Sequence, residues 1–540
     1  MATNSLPEDC FYEIFKNIKD METLYNCLFV NRLICRIIIP FLYQKPFSKI
    51  NHFKQYYCLI NTYLFCIDEE EKDYLHKNSI KITKKTISLF DYAKYLEIIP
   101  DLTYAVECWF IYHLGDLNED QNYNYENDIQ LDNNKLSLQE ILLHLFLRKV
   151  KKCKELNIQS NLFNNFLFNS KFFKKIIINY SDLISLHLLC NNFNDLNNLK
   201  EELFHNFISI ITNNCFNIKK LKITTIDYYY NYNFQELIKI LIKNQKYFKI
   251  LYLSYPNQIL LNNLLKIIKS KKHTITHICI KNIIINNNMI NDNIFGSIAI
   301  CENLEKLEFI NCDSLNININ DNRILNRFSL KELIIHHNAN SNFLDNPLIC
   351  KFGHSLYNLS LHKVSPYIMQ QISRYCLNLR ILKIVCNYLV FSSYTYLKSM
   401  KIEEFTIYLE KSLLFYDNYI YILRMLSLNL PESLNSFTIE EKVPKYTKLL
   451  DNDYIAPKYL ENFLNNCKVN LITLNFNIYI RYEILEKVLD YIEKRKSLKY
   501  LGIRSPPGSF WFKGNKNIGK QILTKIENNN VKIITIRKDE

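Results

Sequence analysis

Apolar and polar positions divide the chain into two regimes, the first of them helical. Phe11, Ile14, Phe15 and Ile18 fall at i, i+3, i+4 and i+7 and predict a helix capped by Ser5, with Pro7, Glu8 and Asp9 in its first turn. Leu24, Cys27 and Leu28 lead from a second helix into Val30, and a third stretch ends at Pro40. Residues 1–48 therefore form a helical module too small to be stable alone, which implies docking on another surface. Residues 49–152 read as a helical connector, with aromatic-rich segments at 53–67 and 89–96. The charge run Asp68-Glu69-Glu70-Glu71-Lys72 between them reads as a solvated helix start. Residues 115–135 are acidic, Asn-rich and aperiodic, and are expected to form a loop.

From residue 153 the pattern changes to a repeat. An apolar-x-x-apolar-x-apolar triplet recurs fourteen times, from Cys153/Leu156/Ile158 through Leu221 and Leu333 to Val531/Ile534/Ile536, at a mean interval of about 29 residues. At 48% hydrophobic content such a triplet arises by chance about 60 times in 540 residues, so spacing and context carry the reading. Helix-period segments fill many intervals, as at 203–211, 237–242, 260–268, 368–375, 459–463 and 484–492. One short strand plus one helix per turn is the leucine-rich repeat. Such a unit cannot bury its apolar face alone and must stack, so 153–540 is expected to be an α/β solenoid, a horseshoe. The repeat consensus also puts Asn or Cys three residues after the last apolar position, matched by Asn161, Asn191, Cys312, Asn338 and Asn387 but not at Ile226, Pro256, Ile283, Val364 and others.

Two resemblances attach to these patterns. Leu6-Pro7-Glu8, Ile14-Phe15, Leu24, Cys27, Val30-Asn31-Arg32, Cys35-Arg36 and Pro40-Phe41-Leu42-Tyr43 resemble an F-box. Segments such as 301–312 and 376–382 resemble the cysteine-containing class of leucine-rich repeat, which commonly follows an F-box. The resemblance implies a substrate-recognition subunit of a Skp-cullin-F-box ubiquitin ligase, without enzyme activity or cofactor. The F-box end would join the Skp-type adaptor, and through it the cullin-RING ligase, while the repeats would hold an unknown target protein. Carried over by position, the adaptor contacts are Leu6, Pro7, Ile14, Phe15, Leu24 and Val30. Where the family usually has Trp, this chain has Ile34 and Tyr43, which implies weaker packing of the third helix.

Composition narrows the alternatives. Only 7 of 540 residues are Gly, which weakens folds that need repeated left-handed turns or backbone pressed against phosphates. Sixteen cysteines are scattered without a CxxC pair, as expected for reduced thiols in a cytoplasmic or nuclear protein, and no metal is expected. Neither a secretion signal nor a membrane span is expected. The net charge of +14 is spread along the chain without a basic block, which argues against nucleic acid and leaves an acidic protein partner open. Residues 514–521 approach a phosphate-binding loop, but Gln521 stands where the hydroxyl is required, so a surface loop opening a last helix is the better reading. His273 and His277 lack the intervening Glu of a zinc protease.

Strand side chains alternate, so the residue before the last apolar position of each triplet points away from the core. That selects Lys222, Tyr252, Glu308, Lys383 and Asn475 as target-facing, and residue type adds Tyr500 and Arg504. The alternative to a ligase subunit is a leucine-rich scaffold in which the N-terminal helices serve merely as a cap.

Overall fold

The computed structural model describes residues 6–50, 52–80, 82, 88–115, 125–163, 167–169, 172–173, 180–190, 198–225, 232–256, 258–283, 297–298, 300–312, 330–336, 345–362, 364–385, 388–410, 417–442, 457–477, 482–504 and 516–536. The chain divides into two compact units, Met1–Ile275 and Thr276–Glu540.

The first unit opens with helices α1 (Glu8–Lys16), α2 (Met21–Cys27) and α3 (Arg32–Tyr43). Pro7 is the N-cap of α1 with no side-chain cap bond, and Ser5 lies outside the described residues. Asp20 accepts from Thr23 N at 2.8 Å and starts α2, and Asn31 accepts from Ile34 N at 2.9 Å and starts α3. The connector holds α4 (Phe53–Leu64), α5 (Glu69–Lys77), α6 (Thr103–Gly115) and α7 (Tyr125–Lys149). The strands of this unit are β1 (Ile98–Ile99), which lies between α5 and α6, and, after α7, β2 (Glu155–Gln159), β3 (Ser185–Cys190), β4 (Lys220–Thr225) and β5 (Ile250–Ser254). Helices α8 (Asn198–Asn214), α9 (Tyr232–Asn244) and α10 (Gln258–Ile268) alternate with the later strands.

The second unit carries β6 (His277–Lys281), β7 (Lys306–Ile310), β8 (Glu332–His336), β9 (Asn358–His362), β10 (Ile381–Val385), β11 (Glu404–Glu410), β12 (Ser436–Lys442), β13 (Thr473–Asn477), β14 (Tyr500–Arg504) and β15 (Lys532–Ile536). Its helices are α11 (Asp345–Phe352), α12 (Pro366–Tyr375), α13 (Asp417–Asn429), α14 (Pro457–Asn466), α15 (Tyr482–Arg495) and α16 (Lys516–Asn528).

Within each unit every strand pairs in parallel with its predecessor in chain order, the arrangement that stacked strand–helix repeats produce. Register aligns the apolar positions into ladders: Leu156, Leu186, Leu221 and Leu251 stand opposite one another, as do Ile158, Leu188, Ile223 and Leu253. In the second unit Leu382, Phe405, Phe437, Leu474 and Leu501 do the same. These side chains are almost wholly buried, each contributing about 1.5–3 kcal/mol relative to exposure. The first residue of every triplet, from Cys153 to Val531, is buried as well.

The structure departs from the sequence reading at five places. Residues 89–96 are not an α-helix: Tyr92–Tyr95 form a 3-10 turn leading into β1, so the first ladder pair, Ile99 opposite Leu156, precedes the expected start of the repeats. Residues 125–135 are the start of α7 rather than loop, while 116–124 lie outside the described residues. No periodicity marked α7 because Leu138, Ile141, Leu142, Leu143, Leu145, Phe146 and Leu147 are buried on every side, whereas the polar first half has no apolar stripe.

Third, Glu71 is not solvated. It completes a capping box with Asp68, yet its carboxylate is fully buried, accepting from His144 Nδ1 at 2.6 Å and Arg148 NH2 at 2.8 Å. Nearby, buried Glu140 accepts from Tyr74 OH at 2.5 Å and Lys200 Nζ at 3.1 Å, so ionic contacts tie α5, α7 and α8 together.

Fourth, the last strand is shifted by one residue. Leu501 stands opposite Ile533, not Ile534, and Ile534 is exposed, because the turn ending at Asn530 (φ 63°) is one residue shorter than the triplet required.

Fifth, the corner Asn acts one place earlier than the consensus position. Tyr255, Asn282 and Asn311, two residues after the last apolar position, take positive φ of 55°, 54° and 54°. Asn tolerates this left-handed region better than other non-Gly residues, so the corners at Asn282 and Asn311 turn without Gly. Asn311 Nδ2 also donates to Asn282 Oδ1 at 2.8 Å across neighbouring turns. The consensus position is filled as expected by Cys312, whose buried thiol bonds the Ile280 carbonyl of the adjacent turn at 3.3 Å. Asn191, Asn338 and Asn387 lie outside the described residues.

Two outcomes test these features. Glu71→Ala removes the buried acceptor shared by His144 and the half-buried Arg148, which keeps Asp68 Oδ2 at 3.1 Å, and should cost about 1.5–3 kcal/mol, read as an earlier urea transition. Asn311→Val should cost about 1–2 kcal/mol by forcing a branched residue to positive φ, whereas Asn311→Gly should cost less, both read by thermal melting.

Candidate protein-interaction surfaces

The N-terminal module builds its own core from Phe15, Leu24, Ile34, Ile37 and Ile38, with Phe11, Ile18, Met21, Cys27, Leu28, Phe41 and Leu42 packed around it. Of the expected adaptor contacts, Phe15 and Leu24 are therefore core residues, 7% and 3% exposed, and hold the helices together rather than presenting a surface. Leu6, Pro7, Ile14 and Val30 are exposed. Sequence neighbours Ile14 and Phe15 face opposite ways, since adjacent helical positions point about 100° apart.

Four further exposed apolar residues, Tyr12, Tyr25, Phe29 and Leu33, escaped the sequence reading. Phe29 is 73% exposed and meets Tyr25 edge-on at 5.5 Å between ring centroids. The available signal was a large aromatic outside the helical stripe, at a position where a solvated residue is the norm. The two positions that lack the family's Trp are packed. Ile34 is buried in the module core, and the Tyr43 ring lies 4.4 Å from Tyr92 and 6.2 Å from Tyr63. Tyr43 thus anchors the module to the connector, and burial pushes its phenol up to about 12, with Tyr92 adding to the shift.

On the sheets, residues opposite the apolar ladders form outward rows. In the first unit Asn157, His187, Lys222 and Tyr252 stand in register across four strands. Tyr252 is half-buried, with Lys220 Nζ 5.4 Å from its ring centroid. His187 donates from Nδ1 to Asn157 Oδ1 at 3.0 Å and meets Thr224 Oγ1 through Nε2 at 3.3 Å. Burial, and then the Lys222 charge, lower its pKa to about 4, so this imidazole is neutral at physiological pH.

In the second unit the middle row includes Ser360, Lys383, Thr406, Thr438, Asn475 and Gly502. Lys383 and Asn475 are half-buried, Tyr500 is exposed, and Arg504 is half-buried two places beyond Gly502 on β14. Gly502 cannot carry a side chain without movement, because a Cβ would lie 2.2 Å from Asn475 Oδ1. Glu308 corrects its reading as a target contact: it is buried, accepting from His277 Nε2 at 2.9 Å, with Lys306 Nζ at 3.1 Å and Cys279 Sγ at 3.4 Å. Burial alone would raise its carboxyl, but the His277 hydrogen bond and the Lys306 charge override this and bring it down to about 2. The carboxylate is committed to its own sheet.

Gly519 and Lys520 lie inside α16 rather than at its N-terminus, away from the backbone N–H groups that cradle a phosphate, and 514–515 lie outside the described residues. Among the described residues no group of three or more His, Cys, Asp or Glu could hold a metal ion. No described helix is long and apolar enough to cross a membrane.

No family model and no curated protein matches the sequence. Among solved structures, that of the Rad7 and Elc1 complex in yeast is similar at 12% identity and a TM-score of 0.34, covering 73% of this chain and 83% of that chain.

Glu308 supplies a pH prediction. Its carboxyl titrates near 2 when folded against an ordinary value of 4.5, so its stabilising contribution is present above about pH 4.5 and is lost as pH falls toward 2. Melting temperature against pH should fall more steeply through that window in wild type than in Glu308→Gln, and identical slopes would refute the assignment.

Proposed function

We propose that this chain is a substrate-recognition subunit of a Skp-cullin-F-box-type ubiquitin ligase. The three-helix module binds a Skp-type adaptor, and the outward strand rows hold a target protein. The observation that carries the reading is that Leu6, Ile14 and Val30 stay exposed on a module whose core is already complete. Exposed apolar side chains gathered on so small a unit mark a protein-binding surface. Phe15, Leu24 and Ile34 hold together the helices that carry these residues, and Phe29 and Tyr25 are exposed on the same module.

The chain performs no chemistry in this role. It raises the local concentration of a target near the ubiquitin-carrying enzyme, in the cytoplasm or nucleus. The competing role, a scaffold without adaptor, predicts the same fold and no adaptor binding.

Co-purification with a Skp-type adaptor tests the reading. The full chain should bind at micromolar concentration or tighter, and Leu6→Ala/Pro7→Ala and Val30→Asp should each weaken binding about tenfold or more while leaving the melting temperature unchanged. Absence of binding by the intact chain at micromolar concentration removes the ligase role.

A further inference from the structure

We infer that the turns entering β2–β5 of the first unit form a docking rim for an acidic segment of a protein partner. This names the class of target for the role proposed above. Its test uses no adaptor, so either reading can fail alone.

The turns at 150–154, 180–184, 215–219 and 245–249, with the turn at 269–275, hold nine lysines and a single acid, Asp182. The equivalent turns of the second unit, at 300–305, 330–331, 353–357, 376–380, 400–403, 430–435, 467–472, 496–499 and 529–531, hold six basic and four acidic residues. There the charges are matched across neighbouring turns: Lys331 Nζ lies 2.6 Å from Glu305 and Arg380 NH1 lies 3.0 Å from Glu403. The same position in the repeat is thus mildly positive in one unit, six bases to four acids over nine turns, and strongly positive in the other. Among the nine lysines, Lys154 is engaged with Glu97 at 2.9 Å and Lys271 with the Gln245 carbonyl at 2.6 Å, and Lys249 and Lys272 also have local partners. Lys151, Lys152, Lys219, Lys246 and Lys269 are exposed and carry the inference.

Backbone hydrogen bonds fix the spacing of the rim. The Lys154 carbonyl accepts from Ile184 N at 2.8 Å, the Ile184 carbonyl from Lys219 N at 2.8 Å, and the Lys219 carbonyl from Lys249 N at 2.9 Å. Like positions of successive turns therefore sit about 4.8 Å apart, which places the backbone of Lys219 beside that of Lys249. Exposed apolar residues lie among them: Ile184, Phe216 and Tyr247, with the Phe216 carbonyl accepting from Lys246 N at 3.2 Å. Alternating cation and apolar anchor complements a segment that alternates carboxylate and apolar side chains. Nucleic acid fits less well. The rim turns contain no Arg, the residue whose planar fork matches phosphate.

The test is fluorescence anisotropy on the purified full chain with three labelled probes: a peptide of alternating Glu and Leu, a Lys/Leu peptide of equal length, and a single-stranded oligouridine. The Glu/Leu peptide should bind at low salt and weaken as salt rises. Lys219→Glu/Lys246→Glu should lower its affinity about tenfold or more, whereas Lys520→Glu/Lys525→Glu, with the same charge change on α16, should alter it less than about twofold. Should the rim reversal fail to fold by circular dichroism, Lys219→Gln/Lys246→Gln takes its place, with a loss of about threefold. Three results overturn the inference: no peptide binding at low salt, equal loss in both reversals, or tighter rim-dependent binding of oligouridine than of the peptide.

Discussion

Strand register is the constraint on which everything else in this chain rests. Each parallel strand contributes two side chains to the buried face, and those side chains meet their counterparts only if neighbouring strands align residue for residue, as Leu221 and Ile223 align with Leu251 and Leu253. A slip by one residue would send both to solvent and bring Lys222 or Tyr252 into the core, at a cost of several kcal/mol per turn. The outward rows are fixed by the same alignment. His187 reaches both Asn157 and Thr224 because the two strands beside it are in register, and Glu308 reaches His277 on the neighbouring strand for the same reason, while Lys306 lies two places before it on its own strand. Where the next turn shortens, at Asn530, the ladder still pairs but its apolar residue is surrendered, and Ile534 stands exposed on the last strand.

A chain with only 7 Gly must still turn sharply after each strand. At Asn282 and Asn311 it does so by placing Asn in the left-handed region, where the short polar side chain also finds a partner across the turn. A bias toward Asn therefore serves the corners, although many other Asn in the chain have no such duty. The cysteines behave comparably: Cys312 fills a corner with its thiol bonded to backbone, while Cys190 is simply buried, its thiol pushed far above the ordinary range by desolvation.

Much of the fold was legible because it is written in spacing. Triplets from Cys153 to Leu498 mark the strands they predicted, and the six helix-period segments lie in α8, α9, α10, α12, α14 and α15. What could not be read was whatever lacks a period. The second half of α7 is apolar all round and its first half polar all round, so neither shows a stripe. Strand β1 has two residues and no pattern at all. Glu71 looked solvated because a charge run shows the sign of a residue and not its partners, which sit more than 70 positions away at His144 and Arg148. For the candidate surfaces, alternation correctly turned Lys222, Tyr252 and Lys383 away from the core, but it could not show that Glu308 is enclosed by its own neighbours. In the N-terminal module, family position treated Ile14 and Phe15 alike, whereas the helix turns one out and the other in.

Exposure means different things in the two parts of this chain. On the strand–helix repeats a single exposed apolar residue such as Leu377 or Tyr357 carries no inference by itself, because nearly half of the chain is hydrophobic and not all of it can be covered; Ile184, Phe216 and Tyr247 count only because they lie among the rim lysines. On the N-terminal module the same observation weighs more. There the core is closed by Phe15, Leu24, Ile34, Ile37 and Ile38, and Tyr43 already ties the module to the connector through Tyr63 and Tyr92. Leu6, Ile14, Phe29 and Val30 therefore contribute nothing to either job, and leaving them in water has no structural return. A surface kept apolar at that cost is best explained by a partner that removes it from water. The charge balance of the repeat turns follows the same logic: Glu305 and Glu403 offset Lys331 and Arg380 in the second unit, so a rim left strongly positive in the first is not forced by the repeat.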